Sequence, residues 1–316
     1  MKLEAKPIAH DFGLEISGID LSKKITDAQF EVLLSYFYNQ SMLLFRDQVL
    51  SPASQASLAH KFGQPKIETR KQFNFQEHPE VSTIGNVTDS RGQPLSFFAR
   101  GGFDWHVDGS AACHVNAATF LYAIEVPREG GDTLFLSTAS AYENAPDELI
   151  RALEPVSFLS SFHAHNDPLL DSDPDSFIPL TVHEREALPA VWHRVIQTHP
   201  VTGRKVFYLN FQALEFDGVD NQKGQELFDQ VLTLASSPGQ VYRHQWKPGE
   251  LIIWDNHAML HSGTPSLMYE SDRRLMHRSF IYTMPTERPL PNYREVSQIF
   301  MPNAKSICLS DFADRA

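Results

Sequence analysis

The chain has 316 residues, 42% of them hydrophobic, and a formal net charge of −12. That length and apolar content suffice for a sizeable core. The acidic balance argues against a nucleic-acid partner, which favours a basic face, but leaves a locally basic pocket for a small anion open. No apolar run approaches the length that spans a bilayer. The N-terminus MKLEAKPIAHDFG has no signal-peptide core, and two cysteines are too few for a disulfide framework. These features lead us to expect a cytoplasmic protein without a membrane partner.

In chain order, LSKKITDAQFEVLLSYFYNQ predicts a helix, with Thr26 or Asp27 as cap and Phe30, Leu33, Leu34 and Phe37 at helical spacing. SMLLFRDQ predicts a buried strand. SPASQASLAHKFGQP predicts a second helix, opened by Ser51 before Pro52 and stopped by Gly63. Residues 70–100 carry little periodicity and read as loop. HVNAATFLYAIEV and DTLFLSTA predict strands separated by the turn PREGGD. STASAYENAPDELIRALE predicts a short helix. The polar stretch 163–190, rich in Asp and Pro, is long for a connection, and such segments often serve as lids. VIQTHPVTGRKVFYLN predicts a hairpin around Thr202-Gly203, KGQELFDQVLTLAS an amphipathic helix, and VYRHQWKPGELIIWDN two strands around Pro248-Gly249. RRLMHRSFIYTM closes the series as a strand. The expected class is mainly β with flanking helices, in a single domain over 1–316, with lid segments at 70–104 and 163–190.

In GGFDWHVDGSAA, His106 and Asp108 stand two apart. On an extended backbone both side chains point to one face, as two ligands of a metal would. A third donor is available in WDNHAMLHSG, which offers His257 and His261. Two imidazoles and a carboxylate on one face of an octahedron leave adjacent positions open, an arrangement suited to Fe(II) and O2 chemistry. In DRRLMHRSFIYT a period of two places Arg274, Met276, Arg278, Phe280 and Tyr282 on one face, and Arg273, Leu275 and His277 on the other. Two arginines among apolar residues call for anions. They are ~13 Å apart along a strand, and would serve two anions, or opposite ends of one pocket, or pair with core carboxylates.

Taken in order, WHVDGS, GGDTLFLS, WDNHAMLHSG and DRRLMHRSFI resemble the taurine dioxygenase/2,4-dichlorophenoxyacetate dioxygenase family. GLEISGIDLS, LLFRDQ and HPVTGRKVFYLN are similar to it too, so the likeness spans nearly the whole chain. The resemblance implies a double-stranded β-helix (jelly-roll) core and an Fe(II)- and 2-oxoglutarate-dependent dioxygenase. It implies iron ligands His106, Asp108 and His261, with His261 five residues after the Asn of WDN. It implies that Thr133 and Arg274 bind 2-oxoglutarate and that Arg278 meets an acidic group of the substrate. His257 departs from the family, which usually has Arg there; we expect it beside the ligands or on the surface.

The implied reaction consumes O2 and 2-oxoglutarate, releases succinate and CO2, and hydroxylates a small, anionic molecule, a carboxylate or sulfonate. Retention of Asp108 argues against halogenation. Desaturation or oxidative decarboxylation in natural-product biosynthesis stays open, as does a non-catalytic metal- or acid-binding barrel, and so does a homo-oligomer. Gly102 replaces an Asn that taurine-type enzymes use for substrate. Phe97, Phe98 and Phe103 are candidate pocket residues, and His78, His163 and His165 fall in the expected lids, where surface positions are the simpler reading.

Overall fold

The computed structural model describes residues 3–96, 104–109, 117–172, 179–210, 213–265 and 272–283. The fold is mostly β-sheet with covering helices. The helix Asp27–Gln40 starts where a capping box forms between Thr26 and Gln29, and it stops at Ser41, which takes the left-handed conformation. It links Leu14–Ser17 to Met42–Phe45, which pair in parallel. The helix Pro52–Phe62 is capped by Ser51, as its sequence predicts.

An eight-stranded sheet has the order Glu4–Pro7, Leu14–Ser17, Met42–Phe45, Leu251–Asp255, Ala118–Glu125, Leu275–Thr283 and Gln64–Lys66, with Ser82–Gly85 also pairing with Leu275–Thr283. A three-stranded sheet holds Thr133–Ser137 between Tyr242–His244 and Met259–Gly263. Three apolar layers separate these parts. Phe30, Leu33, Phe37 and Phe62 of the first two helices pack on Phe120, Leu251 and Ile281 of the large sheet. Leu121, Ile252, Trp254 and Met276, from the opposite face of that sheet, pack on Phe135 and Met259 of the small sheet. Leu136 and Leu260, on the small sheet's far side, pack with Leu227, Phe228 and Val231 of the helix Asn221–Ala235. The central strands Met42–Phe45, Ala118–Glu125 and Leu251–Asp255 of the large sheet, and Thr133–Ser137 and Met259–Gly263 of the small one, therefore feed two cores by simple alternation.

Several elements differ from the sequence reading. Tyr242–His244 and Leu251–Asp255 flank the Pro248-Gly249 turn but join different sheets. The helix expected at 137–154 is two, Thr138–Glu143 and Asp147–Leu153, with Pro146 at the start of the second. Loop-like residues 70–100 contain the strand Ser82–Gly85. Within the polar stretch 163–190, the described residues form the helices Phe162–Ser172 and Val182–Glu186. The first carries Pro168 within it, and the second begins with a capping box of Thr181 and Glu184. Among the described residues, no helix is long and apolar enough to cross a membrane.

Candidate metal and cosubstrate site

His106 sits on an isolated bridge to the small sheet. Its main chain exchanges both hydrogen bonds with His261, at 3.0 and 3.1 Å. This registers the two imidazoles across the strand pair, with ring centroids 4.1 Å apart. Asp108, two residues on, completes a cluster in which one ligand atom from each of His106, Asp108 and His261 lies within 4.8 Å of the others. His261 Nε2 is 3.6 Å from Asp108 Oδ2. His257 is not in this cluster, and it is buried rather than on the surface.

Supporting contacts orient each member. His106 Nδ1 lies 2.7 Å from the Asp104 carbonyl; donation there leaves Nε2 as the lone-pair nitrogen, the usual arrangement for a metal-bound imidazole. The His261 ring lies 4.8 Å from the Trp254 ring and 6.3 Å from that of Phe135. Burial, reinforced by the neighbouring His106, pushes the His261 imidazole down to about 3, so it is a neutral donor at pH 7. Burial alone would raise the Asp108 carboxyl, but His261, Arg278, His106 and a Thr119 hydrogen bond together hold it below its ordinary value. A buried carboxylate beside two imidazoles is a donor set that fits a divalent transition metal.

Behind Asp108 runs a chain of buried hydrogen bonds. Trp254 Nε1 donates to Asn256 Oδ1 at 3.1 Å, Asn256 Nδ2 to Thr119 Oγ1 at 2.9 Å, and Thr119 Oγ1 to Asp108 Oδ2 at 2.9 Å. The WDN tripeptide thus braces the carboxylate from the adjacent strand. The sequence reading missed Thr119 and Asn256. The inward phase of Thr119 among apolar residues was the available signal. Asp255, the middle residue of the tripeptide, faces elsewhere: its Oδ2 is 2.7 Å from His199 Nε2, and its Oδ1 accepts from the His257 amide at 2.9 Å. The His257 ring packs edge-on against His199, 5.4 Å between centroids. Burial holds it near 4, hence neutral.

Thr133 is opposite Gly263 and Phe135 opposite His261. Thr133 therefore shares a face with His261, one two-residue step along the sheet. Its Oγ1 accepts from Trp246 Nε1 at 2.9 Å, which leaves the hydroxyl hydrogen to donate. Arg274 lies just before the strand Leu275–Thr283, with its amide bound to Asn86 Oδ1 at 2.7 Å. A Cβ built on Gly131, two residues before Thr133, would come 3.7 Å from Arg274 Cδ. The arginine stem therefore passes the turn that leads to Thr133. The expected alternation holds along the strand: Met276 enters the inner core, and His277 faces the helix Pro52–Phe62, where its carbonyl accepts from Gln55.

Arg278 points inward beside the cluster. Its Nη1 is 3.8 Å from Asp108 Oδ1, and its Nη2 ion-pairs with Glu68. The sequence reading did not include Glu68. Gly102, Phe97, Phe98 and Phe103 lie outside the described residues, as does the His165 side chain. His163 Nε2 is 3.0 Å from the Arg185 carbonyl, which ties the two helices of the polar stretch together, and His78 is half-buried.

The model of the taurine catabolism dioxygenase TauD, TfdA family matches residues 4–280. The chain belongs to this family. It is 29% identical, over 83% of its length and 92% of the relative, to the alpha-ketoglutarate-dependent 2,4-dichlorophenoxyacetate dioxygenase of Cupriavidus pinatubonensis. It is 25% identical, over 83% of its length and 84% of the relative, to an alpha-ketoglutarate-dependent sulfate ester dioxygenase of Pseudomonas putida. Among solved structures, AAD-2 in complex with Mn(II) and N-oxalylglycine superposes with a TM-score of 0.74 at 25% identity, covering 90% of this chain and all (100%) of that one.

Proposed function

We propose that this TauD/TfdA-family dioxygenase is Fe(II)- and 2-oxoglutarate-dependent and hydroxylates a small organic anion, releasing succinate and CO2. The observation that carries the reading is the convergence of His106, Asp108 and His261 beside an inward-facing arginine. His106, Asp108 and His261 would hold the iron. Bound Fe(II) with 2-oxoglutarate and O2 would supply the oxidant, and the protein supplies orientation and exclusion of water. Thr133 donates its hydroxyl hydrogen to 2-oxoglutarate, and Arg274 receives the distal carboxylate. Asp108, braced by Thr119, would give the metal a carboxylate ligand, which favours hydroxylation over halogenation. The large and small sheets with their shared core are the two walls of a double-stranded β-helix, in one oxygenase domain over 1–316. Relatives named for a phenoxyacetate and a sulfate ester support an acidic substrate.

The test is an assay of succinate released from 2-oxoglutarate by Fe(II)-loaded protein, with a panel of aryloxy acids, sulfonates and sulfate esters. The reading requires release that depends on both Fe(II) and 2-oxoglutarate and is accelerated by at least one acid. Metal-independent release, or none with any member, contradicts it.

A further inference from the structure

The strand Gln64–Lys66 and the residues that follow it bring further charges beside the site. That strand pairs with the end of Leu275–Thr283, with Lys66 opposite Phe280. The next residues leave the sheet and carry Glu68 onto Arg278 Nη2. The Arg278 guanidinium carbon lies 4.5 Å from the centre of the Phe280 ring, and Lys66 Nζ lies 5.9 Å from the same ring and 5.7 Å from that of Tyr282. Burial lowers the Lys66 ammonium, while Glu68 is its main attractive charge and Arg278 and Asp108 also act on it. Lys66, Glu68, Arg278 and Asp108 therefore form one charge cluster continuous with the metal site.

Both terminal nitrogens of Arg278 face protein carboxylates, Asp108 on one side and Glu68 on the other. An incoming acid group that binds a guanidinium with two parallel hydrogen bonds needs one of these edges. Asp108 is fixed by Thr119 and, in the proposed function, by iron. Glu68 stands in a non-regular stretch, and its side chain is more exposed than that of Asp108, 18% against 10%. If it leaves Arg278, Lys66 is at hand to receive it.

We infer that Glu68 is a specificity-determining residue: its carboxylate occupies the acid-group subsite on Arg278, and an anionic substrate binds by taking its place. This rests on the proposed reading that the substrate is a small anion. Exchange of one carboxylate for another on the same guanidinium returns little net affinity. The native site thus discriminates weakly between an acid and its uncharged isostere, and removal of the Glu68 charge makes that discrimination steep.

The experiment is anaerobic calorimetry of the Mn(II)- and N-oxalylglycine-loaded protein with two probes of similar shape, phenoxyacetate and uncharged phenoxyethanol. In Glu68→Gln we expect phenoxyacetate to bind tighter by about tenfold or more, the scale of a charge-assisted hydrogen bond, and phenoxyethanol to change less than about twofold on the same scale. Glu68→Ala should move in the same direction. Unchanged or weaker phenoxyacetate binding in both variants overturns the inference, since Glu68 then only holds Arg278 in place. Equal gains for both probes overturn it as well, because the effect is then steric, and so does absence of phenoxyacetate binding to all three proteins. Succinate release by the native enzyme separates the two levels. Release with no Glu68 effect sinks this inference alone; its absence sinks the oxygenase reading and leaves the binding result standing.

Discussion

Thr119 donates a hydrogen bond to the same oxygen of Asp108, Oδ2, that lies 3.6 Å from His261 Nε2. The hydroxyl thereby fixes how the carboxylate presents itself to the imidazole, and Asn256 and Trp254 fix the hydroxyl. Partners of metal-bound groups of this kind commonly contribute 10–100-fold to affinity.

Thr119→Val keeps the shape and removes the donor. We expect metal affinity to fall by about tenfold or more, with turnover largely restored by excess Fe(II). Thr119→Ser should keep affinity near the native value. Equilibrium competition with a chelator reads this directly, and native affinity in the valine variant would remove Thr119 from the account.

Arg274 is held at its backbone by Asn86 and passes Gly131 with its stem. Arg274→Leu should raise the 2-oxoglutarate requirement by about 10- to 100-fold, the loss of one charge-assisted contact of about 1.5–3 kcal/mol. Gly85 supplies a second handle. A Cβ there would lie 1.8 Å from the Arg274 carbonyl oxygen, and its φ of +148° suits glycine. Gly85→Ala should therefore shift the Arg274 segment and raise the same KM, whereas a KM unmoved in both variants would place 2-oxoglutarate elsewhere.

His277 gives a pH dependence of stability outside the site. Its ring packs on Phe75 and Tyr122, and burial pushes it from 6.5 to about 4. The unfolded chain takes up a proton as pH falls below 6.5, and the folded chain does not until about 4. The contribution to stability is therefore complete above the unfolded value and is lost as pH falls through this window. Between pH 7 and 5 the loss from this residue is about 2 kcal/mol. Urea denaturation of His277→Phe should show a shallower decline over that interval; an identical slope would mean that the ring is protonated in the fold.

The elements with strong local signals were legible in the sequence. Thr26, Ser51 and the apolar spacing of Phe30 to Phe37 gave two helices with their caps. The two-residue spacing of His106 and Asp108 pointed to side chains that do converge, although Asp108 stands in a turn rather than on an extended strand, and alternation matched the inward side of Met276 and Arg278. Pairing was not legible: Ser82–Gly85 is short and acquires its role only against Leu275–Thr283. The helix Phe162–Ser172 was hidden by Pro168 and acidic residues that usually mark loops. Glu68 could not be linked to Arg278, 210 residues away, because no local pattern encodes an ion pair between distant segments. The same blindness left His257 between ligand and surface, when the fold buries it against His199.

The most direct test of the central claim is a metal titration on four proteins: native, Asp108→Ala, His261→Ala and His257→Ala. Anaerobic Fe(II) binding followed by calorimetry should give one tight site per chain in the native protein and in His257→Ala. Tight binding should be lost in Asp108→Ala and His261→Ala, because in the proposed function the three ligand atoms that converge there hold the iron. Native stoichiometry and affinity in His261→Ala, or loss of binding in His257→Ala with the fold intact, would contradict the assignment.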